Sequence, residues 1–213
     1  MSVLQIVGRR SSLFTRLPLI FAEELAVPYE LVPIHDMTAM GPEVYAGNPA
    51  LKLPILRVQG EVLFGALNIC RALDERAERP ARVIWPEELR SVLSRNAQEL
   101  VWHAMAAQVQ LVMGTVVGKL PADNVYFTKG RLGLEGALQW LDAHMTDVMS
   151  ELPASRGISV LEASLFCLVD HLVFRKTFSV EAYPALVRFT REFAERPSAQ
   201  QTAYRFDTPP PAA

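Results

Sequence analysis

Residues 3–34 read VLQIVGRRSSLFTRLPLIFAEELAVPYELVPI, and the fold turns on how this stretch divides. Val3–Val7 is short and rich in β-branched and aliphatic residues, which reads as a strand. Gly8–Ser12 is a polar loop. Phe14, Leu17, Phe21 and Leu25 then recur at helical spacing, so residues 13–25 read as a helix, with Pro18 in its early part. Tyr29–Ile34 is a second strand. Strand, helix and strand within so short a span favour a βαβ unit with parallel strands and a right-handed crossover.

Beyond this stretch, residues 35–52 read as loop with about one helical turn. Pro54–Val58 and Glu61–Phe64 are two strand-like runs, with Gln59-Gly60 between them as a tight turn. Ala66–Leu73 reads as a helix, and Asp74–Pro86 as a charged linker holding Pro80 and Pro86. The order βαβ then ββα gives a four-stranded mixed sheet with helices on its faces. After Pro86 the strand pattern disappears, and no strand is expected beyond residue 90. Residues 87–117 read as one long helix loosened at Gly114. Leu134, Leu138, Leu141, Met145, Val148 and Leu152 form the stripe of a second helix, and Ile158, Leu161, Leu165, Leu168 and Leu172 that of a third. A shorter helix covers about 184–194, and Thr208–Ala213 is a proline-rich tail. The fold class is therefore α/β plus all-α, with domains expected at 1–76 and 87–207.

Composition narrows the function. The 213 residues carry a formal net charge of −2, and residues 1–80 hold 8 of the 21 basic and 9 of the 23 acidic side chains. Neither half has the basic footprint of a nucleic-acid binder. The two arginines of the first ten residues follow the apolar run, the reverse of a signal peptide. No run approaches 18 apolar residues, so no membrane span is expected. Cys70 and Cys167 sit in apolar helical patterns and read as small buried hydrophobes in a reducing, cytoplasmic compartment. His35, His103, His144 and His171 have no ligand spacing, so no metal site is expected. Ser159-x-x-Glu162 reads as a capping box, in which each side chain bonds the other's backbone N–H.

Three patterns in order resemble the cytosolic glutathione S-transferases of bacterial, serine-like type. The first is Gly8–Arg16 continuing to Glu23–Glu30. The second is Asn48-Pro49-Ala50-Leu51-Lys52-Leu53-Pro54-Ile55-Leu56. The third is Ile158–Ala163 with Tyr183-Pro184-Ala185-Leu186 and Arg196-Pro197-Ser198. The resemblance covers roughly residues 3–205. It implies a thioredoxin-like first domain, a helical second domain, a homodimer, and a site per subunit for glutathione as co-substrate.

Such a site must hold the tripeptide and ionise its thiol, whose free pKa is near ~8.5. A hydroxyl aimed at the sulfur beside a helix N-terminus favours the anion. Ser12 aligns best with the family's activating position and Ser11 next. By residue type alone, either serine also reads as a helix cap. The resemblance gives Leu53-Pro54 a cis peptide bond and makes the Leu53 main chain a strand-like partner of glutathione. A trans-proline opening an edge strand is the other reading of the same residues. Gly65 and Ala66 stand where the family has an acidic residue and Ser or Thr gripping the γ-glutamyl group. The amide of Ala66 at a helix N-terminus still suits a carboxylate, and Asn68 is a candidate for part of the lost contact. Trp102, His103 and Met113 lie on the long helix that, by the resemblance, flanks a cleft for an apolar electrophile. The expected activity is conjugation of the glutathione thiolate to that electrophile. The runner-up is a binding or regulatory protein of the same fold, favoured by Gly65-Ala66. A thiol reductase is weaker, since neither position 11 nor 12 is cysteine.

Overall fold

The computed structural model describes residues 3–78 and 81–207. Pro80 of the expected linker and the expected tail Thr208–Ala213 lie outside the described residues. The chain divides into two compact units, Met1–Ala81 with Arg196–Ala213, and Arg82–Glu195.

In the first unit, β1 (Leu4–Gly8), α1 (Leu13–Glu24) and β2 (Tyr29–Pro33) form the βαβ unit, with β1 parallel to β2. The strands β3 (Ile55–Val58) and β4 (Glu61–Phe64) follow, then α2 (Ala66–Asp74). The sheet order is β2-β1-β3-β4, with β3 antiparallel to both neighbours. Gln59 (φ 51) and Gly60 (φ 87) both have the positive φ that a two-residue hairpin needs to match strand twist. α2 packs on α1, β3 and β4. Alternation along the strands puts Val7 and Ile55 on one face of the sheet and Ile6 and Leu56 on the other, all four buried. On the Val7 face the cover differs from expectation. Ile34, Tyr45 and Ala46 pack on Val7 and Ile55, with Met37, Leu51 and Leu53 at the margin. This segment is turns rather than helix. Gly41, Pro42, Gly47 and Pro49 interrupt it, and Ala46 and Gly47 have positive φ, so a helix cannot propagate through it.

The second unit is built on α3 (Val92–Leu111), α4 (Val125–Ser150), α5 (Val160–Arg175) and α6 (Pro184–Ala194), with α3 packed on α4 and α5. Expectation is corrected at the start of the long helix and at a short strand pair, and the loosening at Gly114 takes a definite form. The long helix begins at Val92, where the Ser91 hydroxyl accepts from the Ser94 N–H, rather than at residue 87; Pro86–Glu88 is a separate 3-10 turn. Its last part, Val112–Val117, is a π-helix, and a Cβ on Gly114 would lie 2.1 Å from the Phe127 ring. A glycine here lets the ring close on the backbone. Finally, a strand does occur beyond residue 90: β5 (Val83–Ile84) and β6 (Ile158–Ser159) form a two-residue parallel pair, too short to leave a period-two signal. Val92–Val117 is also long and apolar enough to cross a membrane by length and composition; a third of its apolar 18-residue window is buried, and α3 packs on α4 and α5.

Ser159 caps α5 by accepting from the Glu162 N–H at 3.0 Å. The return leg goes elsewhere than the capping box expects. The Glu162 carboxylate accepts from the Ser159 hydroxyl at 2.7 Å and from Arg156 Nη2 and Nε at 2.6 and 2.7 Å. Asp142 accepts from the Leu186 N–H at 3.0 Å and so ties α4 to the first turn of α6. α7 (Pro197–Gln201), which the hydrophobic pattern does not show, packs on α1. The expected helical domain 87–207 therefore loses its last residues: from Arg196 onward the chain belongs to the sheet unit.

Candidate functional site

Sheet register brings three turns to one edge. Val7 pairs with Ile55, and Ile55 with Phe64. The turn after β1, the residues before β3 and the residues after β4 therefore lie side by side. They are Arg9–Ser12, Leu53-Pro54 and Gly65-Ala66, residues far apart in sequence.

The first turn is tightly held. A Cβ on Gly8 would lie 2.5 Å from the Thr15 side chain, so a glycine lets α1 come back against the end of β1. The Arg9 N–H donates to Thr15 Oγ1 at 3.4 Å, and the Ser12 N–H to the Arg9 carbonyl at 3.1 Å. Arg9 Nη1 donates to the His35 carbonyl at 3.0 Å, pinning the turn to the end of β2. Ser12 is the N-cap of α1, its Oγ accepting from the Thr15 N–H at 3.3 Å. That bond uses a lone pair of the hydroxyl and leaves its proton to donate. Capping and thiol activation are thus compatible readings of one side chain. Ser11 is buried, 1% exposed, while Ser12 is half-buried.

The Leu53–Pro54 peptide bond is cis. Pro54 is buried, and its carbonyl accepts from the Gly65 N–H at 3.3 Å, which joins the second turn to the third. Gly65 caps α2 with φ 90 and ψ 140 and no side-chain bond, and a Cβ there would meet open space. Its backbone conformation alone explains a glycine, since L-residues rarely adopt it. The Ala66 amide follows at the helix N-terminus, among the donors that the helix itself leaves unbonded. Asn68 turns its amide back onto the Phe64 carbonyl at 3.1 Å, which uses one of its two amide protons.

The remaining candidates lie on α3 and its π-helical extension. Trp102 and Met113, both half-buried, are about three turns apart and share a face. His103 is about a quarter-turn away and exposed, its Nε2 4.0 Å from Glu99 Oε2. The structure does not bring it together with the other two. Among the described residues there is no group of three His, Cys, Asp or Glu side chains arranged to hold a metal ion.

Two features went unread in the sequence. Arg16, on α1, is 1% exposed; its Nη2 donates to the Ala199 carbonyl at 3.0 Å and its guanidinium lies 4.2 Å from the Tyr204 ring centroid. Asp207 Oδ2 accepts from the Arg10 N–H at 3.0 Å, one residue from Ser11. An arginine among helical hydrophobes was the available signal, but nothing local names its partners.

Residues 11–76, which carry all three turns from Ser11 onward, match the family model of the glutathione S-transferase N-terminal domain. The architecture of the whole chain agrees: a thioredoxin-like sheet domain followed by helices, as in glutathione S-transferases. A glutathione transferase family member from Pseudomonas fluorescens, solved with bound glutathione, is 22% identical over 95% of this chain and 99% of its own, with a TM-score of 0.76. A glutathione S-transferase from Methylobacterium radiotolerans, in complex with glutathione sulfonate, is 18% identical over 100% of both chains, also at 0.76. One from Methylobacillus flagellatus, with glutathione bound, is 21% identical over 95% and 100%, at 0.74. No curated protein sequence matches the chain.

Proposed function

We propose that the protein is a glutathione transferase that conjugates the glutathione thiolate to an apolar electrophile in the cytoplasm. The observation that carries this reading is Ser12: a hydroxyl at a helix N-terminus, capped on its lone pair and with its proton left to donate. It would donate to the sulfur and, with the α1 N-terminus, favour the thiolate. Ser11, buried one residue earlier, is the second candidate. The Leu53 main chain beside cis-Pro54 would pair with the cysteinyl part of the tripeptide. The Gly65 turn and the Ala66 amide would meet the γ-glutamyl carboxylate. Trp102 and Met113 are the better candidates for apolar contact with the electrophile, and His103 the weaker. A homodimer is part of the same reading; light scattering is expected to give twice the 23.7 kDa subunit mass.

The bare Gly65-Ala66 turn supports a second reading, a binding or regulatory protein of the same fold with little catalysis. A hydrogen bond to a charged group is worth roughly 1.5–3 kcal/mol, so losing one costs about ten- to a hundredfold in affinity. Calorimetric titration with glutathione, followed by turnover with a chloronitroarene, separates the two. Binding with turnover supports the transferase, and binding alone supports the second reading. No binding at millimolar glutathione sinks the transferase and leaves the second reading, with a different ligand.

A further inference from the structure

The C-terminal segment runs antiparallel to α1 and is bonded to it at both ends. At the C-terminal end of α1, Glu24 accepts from Arg196 Nε and Nη2 at 2.8 and 2.6 Å and from the Ser198 hydroxyl. Near the N-terminal end, the buried Arg16 guanidinium reaches the Ala199 carbonyl at 3.0 Å, Thr202 Oγ1 at 3.5 Å and the face of Tyr204. Beyond the helix, Asp207 reaches the Arg10 N–H. Order along one segment, 196, 199, 202, 204, 207, matches reverse order along the other, 24, 16, 10. Burying a guanidinium requires partners for its donors, and here the segment supplies a carbonyl, a hydroxyl and an aromatic face. Arg16 therefore fixes the segment in register, and the register delivers Asp207 to the Arg9–Ser12 turn.

We propose that Arg196–Asp207 is a strap that sets the position of this turn, with Asp207 as its positioning residue. The Arg10 N–H has left the β1 ladder and precedes the helix, so neither element supplies it with an acceptor. The carboxylate does, through a charge-assisted bond. Holding Arg10 holds the turn from which Ser12 projects. The inference rests on reading Ser12 as the thiol-activating residue.

Two variants of equal charge test it. Asp207→Asn keeps an oxygen acceptor, and Asp207→Ala removes it. Amide hydrogen exchange in the full chain is expected to speed up about tenfold or more at Arg10 in Asp207→Ala and to stay near wild type in Asp207→Asn. Both variants lose the same negative charge, so any difference in the titration of the bound glutathione thiol reports position alone. The thiol pKa is expected to lie about one unit higher in Asp207→Ala than in Asp207→Asn, a tenfold change in thiolate equilibrium. Unchanged Arg10 protection in Asp207→Ala overturns the strap. Lost protection with coincident thiol titrations overturns its role in positioning. If the wild type binds no glutathione, the site reading falls, and the positioning of a catalytic turn falls with it. Exchange at Arg10 then still decides whether Asp207 holds the turn, so the two failures are told apart.

Discussion

Two helix N-termini meet at the same edge of the sheet and are built in opposite ways. The α1 end has a side-chain cap from Ser12, a close contact between Gly8 and Thr15, and backbone bonds to Thr15 and Asp207. The α2 end has a glycine at φ 90, no side-chain cap and an alanine. One is held by side chains from several elements. The other is shaped by backbone alone. Under the proposed function the two ends divide the labour: the α1 turn must place one atom accurately, and the α2 turn has only to present amides to a carboxylate.

Ser12→Ala strikes at this contrast most directly. Loss of the hydroxyl is expected to raise the pKa of the bound thiol by about one unit or more and to cut conjugation at neutral pH about tenfold. The lost N-cap costs about 1 kcal/mol of stability as well. A pH–rate profile beside a urea titration separates the two effects. Ser11→Ala is the control: if only it moves the profile, Ser11 is the activating residue. If neither does, the α1 end is structural only.

At the α2 end the expected change runs the other way. Under the proposed function, Ala66→Ser would add a hydroxyl beside the γ-glutamyl carboxylate and is expected to tighten glutathione binding by about five- to thirtyfold, from a bond of roughly 1–2 kcal/mol. Unchanged affinity would mean that the carboxylate is held elsewhere. Gly65→Ala tests the backbone explanation of the same turn. Its positive φ predicts a stability loss of about 1 kcal/mol without any clash, readable as a lower urea midpoint.

The smallest effect concerns the anchor of the strap. Burial would raise the Glu24 carboxyl, but the bonds from Arg196 and Ser198 and the Arg196 charge outweigh it, leaving its pKa below the ordinary value. A folded-state pKa lowered in this way contributes stability above the unfolded value, near ~4.3, and that contribution is lost as pH falls through the folded one. Thermal midpoints measured downward from pH 5 are expected to fall more for the wild type than for Glu24→Gln. Parallel curves would show that Glu24 is not what acid removes.

Much of this was legible because the signals are local. The apolar spacing from Phe14 to Leu25 marks α1, and Gln59-Gly60 marks the hairpin. The structure places them at Leu13–Glu24 and in a turn with two positive φ values. The Ser12 cap is equally local, since its donor lies only three residues on. Other features were invisible for the same reason. β6 is two residues long, too short for alternation to register. α7 is five residues with no apolar stripe. Asn68 spends its amide on a carbonyl four residues back, a choice among rotamers that the residue type leaves open.

The longer elements, the order βαβ-ββα and the serines before α1 follow from the amino-acid string alone, because helix periodicity, turn chemistry and capping act over a few residues. The same string carries the pattern by which residues 11–76 match the family model of the glutathione S-transferase N-terminal domain. That three turns share one sheet edge is a matter of tertiary structure, because strand register relates Val7, Ile55 and Phe64 across nearly sixty positions. So is the packing of residues 196–207 on α1, because a buried arginine must find partners and the chain brings them from its far end.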